Sequence, residues 1–489
     1  MQEGFELPLA KSPPAVNVSG VNVDSPTNEP ADPWWVRLLI FIVPMVLALV
    51  SAKPYAGSWN DGSRLAAIES LGDRGTFAID ESVFVRVPEE LIDQGTPPFN
   101  PTDPLLLRYG TLDKLFIAGH FYSDKPPVVS ILLAGEYRLW RLAGGPSFAE
   151  RPDIVVYWMT VFTSGLAYAV AVWCWAILAR LRGWPRPIRL TLLLGFSLGS
   201  IAIPYIEYVN SHEMYLGVMS AIILQMERIR RAVATNGRVI GKLLVLGTLG
   251  GLGYNLDPGL APGLALAVFG WVVYRVRRWH PTLLFVMATL PWVTAHHVLN
   301  HEIGGKWITP ANAVPEYFNY PGSPFTETTI TGFWRHTPQR FALYLVDLLF
   351  GKQGFLTHNL PLMLAVFCVP RMIWRRTLTA EQAAGLVFAG LGYLSYAILS
   401  KNHGGACCSV RWFVPFLAVG YLIIGDFLTW RPEHLRELKI LTIGGILLAV
   451  FMWWVGPWTL RLIPGFWPIM GTTMVAFAIS GLSSRRQPV

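Results

Sequence analysis

Charge is scarce in this sequence. Asp, Glu, Lys and Arg make up 14% of its 489 residues, where soluble domains run near a quarter, and so thin a supply excludes a large water-facing surface. Cysteine is scarce as well. Cys174, Cys368, Cys407 and Cys408 are too few and too scattered for a disulfide framework, and no Cys/His spacing matches a structural zinc site. The vicinal pair Cys407-Cys408 reads as two small residues in a tight loop rather than a redox couple. The alternating short strands of a closed barrel do not occur. No small-residue cleavage site follows the first apolar run, so that run is expected to stay as an anchor.

What is abundant is apolar surface. The chain is 53% hydrophobic, with 20 Trp and a mean hydropathy of +0.41, and its apolar runs have the length a helix needs to cross a hydrocarbon core about 30 Å thick. This is the composition of an all-α polytopic membrane protein. Candidate spans cover 36–52, 154–179, 188–206, 212–227, 240–255, 259–275, 281–300, 359–374, 381–400, 411–429, 438–456 and 463–481.

A net charge of +8 would suggest nucleic acid in a soluble protein. Here the basic residues sit in short turns instead: Arg180, Arg182, Arg186 and Arg189; Arg228, Arg230, Arg231, Arg238 and Lys242; Arg275, Arg277 and Arg278; Arg371, Arg375 and Arg376; Arg431, Arg436 and Lys439; and Arg485-Arg486. Each cluster follows an even-numbered span, a topology signal that places these turns and both termini in the cytoplasm. The alternation holds only if 127–143 and 339–355 do not cross. Both are short and carry charge (Glu136, Arg138 and Arg141; Asp347 and Lys352), so they are expected to lie in the outer interface. Residues 1–33, rich in Pro, Asn, Asp and Ser, read as a disordered cytoplasmic tail, 34–481 as the transmembrane domain and 482–489 as a second tail. Two long loops, 53–153 and 300–358, then face outward. The triplet Asn17-Val-Ser19 falls on the cytoplasmic side, where it is no glycosylation acceptor.

The first of these loops carries the most informative residues. Asn60-Asp61-Gly-Ser-Arg64 stands just outside the first span and Asp124-Lys125-Pro126-Pro127 opens the amphipathic segment at the loop's other end. Taken singly, one is a helix cap and the other a helix start with Pro at its first positions. Their order along the chain, an anchor, Asp-x-x-Arg-x-Ala-x-Ile, a long external loop and Asp-Lys-Pro-Pro, resembles the GT-C membrane glycosyltransferases, in particular the aminoarabinose transferases and the protein O-mannosyltransferases. Gly351-Lys-Gln-Gly-Phe-Leu-Thr-His-Asn359, Asn402-His-Gly-Gly405 and Arg411-Trp-Phe-Val-Pro415 extend the likeness.

The resemblance implies transfer of a sugar from a polyprenyl phosphate to an acceptor at the external face, with inversion. It makes Asp61 the catalytic base, a role the chemistry requires because a hydroxyl is a poor nucleophile until its proton is removed. The phosphate leaves without protonation but needs positive charge, for which Lys125 and Arg411 are the candidates. Arg64, His212 and His403 are expected to bind substrate, and Glu207 to join Asp61 and Asp124 among the catalytic acids. Charged groups this close to hydrocarbon are costly unless they line water or a partner. Some enzymes of the group hold a divalent ion, for which Asp124, His297 and His301, with Glu302 adjacent, are the expected ligands.

The sequence also departs from the pattern. Gly62 replaces the acid after the leading Asp, the Asn255-Leu-Asp257-Pro turn lacks a basic residue, and no large soluble domain follows the last span. The rival readings are a transporter or lipid flippase, and a non-catalytic subunit of an envelope assembly. Against a transporter, the chain shows no matching halves, and its ionisable residues gather at span ends rather than at the midplane.

Overall fold

A computed structural model describes residues 32–325, 337–400 and 402–484. Asn17-Val-Ser19, Lys401, Arg485-Arg486 and nearly all of both expected tails lie outside these residues. A helix forms within each of the twelve expected spans. Among the described residues five stretches are long and apolar enough to cross a membrane by length and composition: Trp34–Ser51, Pro152–Leu181, Trp279–Gly304, Ala380–Leu399 and Pro432–Val455. Shorter apolar helices cover Ala261–Val276, Leu360–Trp374, Phe416–Trp430 and Phe466–Leu482.

The expected span 188–206 is not continuous. Its helix, Arg186–Leu198, stops before Gly199-Ser200, and a single turn, Ala202–Tyr205, follows. Gly favours no helix and Pro204 has no N–H to donate, while Asn359 Oδ1 takes the buried Ile201 N–H at 2.9 Å. The helices that begin cleanly are capped: Asn210 accepts from the backbone of His212 and Glu213 at the start of Ser211–Ala234, and Thr379 with Gln382 forms a capping box before Ala380–Leu399.

Charge divides the bundle into two ends. At one, the buried Arg182 guanidinium lies 3.1 Å from Glu227, 3.7 Å from Glu381 and 2.7 Å from Asp426, joining four helices. Asp32 belongs to this end too. It was expected in a disordered tail, yet it is buried and accepts from Arg180 at 2.7 Å and Arg189 at 2.5 Å. The turn carrying Arg180, Arg182 and Arg189 therefore meets the helix ends that carry Glu227, Glu381 and Asp426.

The opposite end is covered by 53–153, which is folded chain. It contains α1 (Trp59–Glu69), a π turn (Ser70–Arg74), two short helices, a β-hairpin and α2 (Pro127–Leu142). The hairpin corrects an expectation of helices alone. Strands β1 (Lys114–Ile117) and β2 (His120–Ser123) pair antiparallel with Lys114 opposite Ser123. Ala118 and Gly119 both have positive φ (50° and 89°), as a two-residue hairpin turn of the twist-matching kind requires. Tyr137 of α2 donates to Asp73 at 3.0 Å and Arg138 to the carbonyls of Leu71 and Gly72, so α2 is clamped to the turn after α1. The segment 127–143 is thus one helix bound against the outer loop, and 339–355 contains a second, Pro338–Phe350. The other long loop adds its own ties. Asn312 donates to the Asp124 carbonyl at 2.9 Å and Tyr320 to that of Leu112 at 2.6 Å.

Replacing Arg182 with Met should leave Glu381 and Asp426 at the buried junction without their cation, Glu227 keeping Arg230 and Arg231, and destabilise the protein by about 3–5 kcal/mol. Thermal unfolding in detergent should show this as a lowered midpoint, whereas Arg238→Met in an exposed turn should change stability by less than about 0.5 kcal/mol.

Candidate active site

Beneath the outer loops lies a cavity of about 550 Å³. Its walls come from distant parts of the sequence: Gly57–Asn60 at the start of α1, Asp103 and Leu105 further along the first loop, Asp113, Asp124 and Lys125 at the two ends of the hairpin, Asn312, Phe318 and Phe325 of the second loop, and Ser400, Asn402, Gly404, Arg411, Trp412 and Trp458 beyond it. Lys125 holds this arrangement together. Its ammonium lies 2.8 Å from Asp124 and 3.1 Å from Asp113, and Asp124 also accepts from Ser63 of α1 at 2.8 Å. Burial raises the Asp124 pKa, the Lys125 charge works against that rise, and Asp113 adds to it. With its amide oxygen turned towards the cations, Asn60 accepts from Lys125 Nζ at 2.9 Å and Arg411 Nη1 at 3.2 Å.

Two guanidiniums at this end are only partly used. Arg64 is buried behind the wall and donates from Nη2 to Ser211 at 3.2 Å, while its Nε and Nη1, and Nε of Arg411, have no partner among the described residues. Unpartnered buried donors are costly, and at Arg411, which lines the cavity, an anionic oxygen would supply what is lacking. Arg411 lies in a one-turn 3₁₀ segment, Arg411–Phe413, just before the helix Phe416–Trp430, with its guanidinium 5.4 Å from the Trp458 ring centre. The neighbouring Trp412 stacks on Tyr396 (4.2 Å, 8°), whose hydroxyl donates to Asp257 at 2.6 Å. The cavity therefore sets cations beside aromatic rings.

Asp61 takes a different position from the other acids. It is wholly buried in the first turn of α1, where it accepts from Gly57 N at 2.6 Å and from the Ser58 hydroxyl. The carboxylate does not line the cavity, but Ser58 does. Burial lifts the Asp61 pKa to about 6 against the lowering by Ser58 and Gly57, within the range in which a carboxylate serves as a base.

The remaining expected residues are more dispersed. His212 is buried at the start of its helix, edge-on to Tyr205, and the charges of Arg411, Arg64 and Lys125 act on it. Glu207 pairs with Lys53 at 3.6 Å, away from the cavity lining, and burial raises its pKa to about 8. His403 lies 2.6 Å from Asp347, while its neighbours Asn402 and Gly404 line the cavity.

The three expected metal ligands are not brought together. His297 contacts the Tyr254 hydroxyl at 2.9 Å and the Trp307 carbonyl at 2.6 Å, and His301 stacks on Trp307. It is His296, one residue earlier, that shares a small pocket with Asp124. Among the described residues no group of three or more His, Cys, Asp or Glu is placed to hold a metal ion, so no step is assigned to one here.

Sequence reasoning passed over Ser58, Asn60, Asp113, Trp412 and Trp458. Asn60 stands beside Asp61 in a segment already singled out, and Trp412 follows Arg411, so adjacency was a usable signal for both. Asp113 and Trp458 carry no local signal.

No protein-family model and no curated protein matches the chain. Among solved structures it is similar to ArnT from Cupriavidus metallidurans bound to undecaprenyl phosphate (14% identity, TM-score 0.46, covering 92% of this chain and 77% of that one). The apo state of the same protein gives 14% identity, a TM-score of 0.47, and 91% and 76% coverage. The Archaeoglobus fulgidus oligosaccharyltransferase in the apo form gives 10% identity, a TM-score of 0.44, and 92% and 55% coverage. At these values the functional conclusion rests on the residues of the cavity itself.

Gly62 has a steric reason for being glycine. A Cβ there would lie 2.6 Å from the Phe99 ring, which leaves no room for the acid expected at that position. Gly62→Ala should push Phe99 aside and cost about 1–3 kcal/mol, read as a lowered unfolding midpoint. The double variant Gly62→Ala/Phe99→Leu should recover part of the loss.

Proposed function

We propose that the protein is a glycosyltransferase that takes a sugar from a polyprenyl-phosphate donor and passes it, with inversion, to an acceptor hydroxyl in this cavity. The observation that carries the reading is the convergence of Lys125 and Arg411 on Asn60, with Arg64 behind them and guanidinium donors left unpartnered. Such a cluster suits a phosphate, and Trp412 and Trp458 offer flat apolar faces to a sugar ring. Orientation follows the arginine alternation: an integral plasma-membrane protein with both termini cytoplasmic and the cavity on the external, periplasmic side.

In the reaction, the acceptor oxygen bonds to the anomeric carbon from the face opposite the phosphate. The carbon–oxygen bond to phosphate breaks, and the electron pair leaves with the phosphate, where Lys125 and Arg411 balance the growing charge. The acceptor proton passes to the Ser58 hydroxyl as Ser58 gives its own proton to Asp61. This relay suits the geometry in which Ser58 lines the cavity and donates to a buried Asp61. Asp124 is a poorer base because Lys125 and Ser63 already occupy its oxygens.

Purified protein in lipid, assayed with a panel of polyprenyl-phosphate sugars, should keep donor binding in Asp61→Asn while transfer falls by about 10²-fold or more. Lys125→Ala or Arg411→Ala should weaken donor binding itself. Undiminished transfer in Asp61→Asn would remove Asp61 as the proton acceptor. The pH profile gives a separate check. Since Asp61 must be ionised and burial sets its pKa to about 6, kcat/KM should be level above that value and fall about tenfold per pH unit below it.

A further inference from the structure

We infer that the arginine-rich end carries a second ligand site, a groove that binds an anionic phospholipid. The groove runs between Leu360–Trp374, Phe416–Trp430, the start of Pro432–Val455 and the end of Phe466–Leu482, with a main volume of about 790 Å³ and an adjoining one of about 200 Å³. The two volumes meet at Arg371, Phe427 and Arg431, and Arg375 lines the smaller. Beyond this cationic mouth the larger volume is walled by Phe367 and Phe477, whose rings lie 5.5 Å apart, and by Leu482, which is 62% exposed.

Charge decides the occupant. The arginines nearest the helix junction are committed to protein carboxylates: Arg180 and Arg189 to Asp32, Arg182 to three acids, Arg230 and Arg231 to Glu227. Arg371 and Arg375 have no carboxylate within ion-pair distance among the described residues, and Arg431 reaches only the half-exposed Glu433 at 3.3 Å. A headgroup phosphate bridging Arg371, Arg375 and Arg431 would supply the missing anion, and its acyl chains would follow Phe367, Phe477 and Leu482 outward. Basic pockets between membrane helices take lipid headgroups in this way. Glu433 and Glu437 line the same groove and oppose a second negative charge deeper in, so the phosphate belongs at the mouth.

Native mass spectrometry of the full chain, titrated with phosphatidylglycerol or phosphatidylcholine, tests the site. The wild type should prefer phosphatidylglycerol, and Arg371→Gln/Arg375→Gln should weaken that binding roughly tenfold or more. Arg277→Gln/Arg278→Gln, in an exposed basic turn outside the groove, should retain it. Equal affinity of the wild type for both lipids, unchanged binding in the first double variant, or an equal loss in the second would each overturn the site.

Discussion

The placement of Lys125 between two carboxylates is the interaction on which the outer half of the protein depends. Its side chain is 7% exposed, and an ammonium so far out of water needs both Asp124 and Asp113. Meeting that need closes the hairpin at its two ends, since Asp113 immediately precedes β1 and Asp124 immediately follows β2. Ser63 then ties Asp124 to α1, and Asn60 on the same helix carries the contact across to Arg411. One desolvated cation thereby fixes the hairpin, the first external helix and a residue about three hundred positions away relative to one another. The cavity is the space these ties enclose.

Asp61 meets the structural and the chemical description at once. Its bonds to Gly57 N and Ser58 are those of a helix start, where an acid at the third position reaches back to the residue before the cap. A cap needs no burial, however, and solvent-exposed caps serve helices well. The burial of Asp61 raises the cost of ionisation and so raises its basicity, which a cap does not require and a base does. The Ser58 hydroxyl is what gives so buried a group access to the cavity.

Much of this organisation was legible because the bilayer punishes exceptions. A charge inside an apolar run, as in 127–143, marks a helix that lies against the protein surface, and an Arg cluster marks a turn on one side. The hairpin was not legible: two four-residue strands give too short a period to separate from loop, and its register is set by the Ala118-Gly119 turn rather than by pattern. The histidines failed for a geometric reason. Successive residues on a helix point about 100° apart, so the same turn that buries His296 and Asn300 turns the half-buried His297 and His301 towards Tyr254 and Trp307 instead. An i,i+4 spacing identifies a shared face without saying which way that face looks. Asp113 and Trp458 were beyond reach for another reason, since their relevance exists only after distant segments have met.

The two ends of the bundle use the same residue type for opposite purposes, and the partners explain the difference. Where arginine meets buried Asp or Glu, as at Arg182 and Asp32, the charge is consumed in joining helices and little remains for a ligand. Where nitrogens lack protein acceptors, as at Arg64 and Arg411, the desolvation already incurred is recovered only when something anionic arrives. At Arg411 that first arrangement is absent, and the phosphate proposed for this cavity, arriving and leaving with each turnover, is the partner its open donor would take.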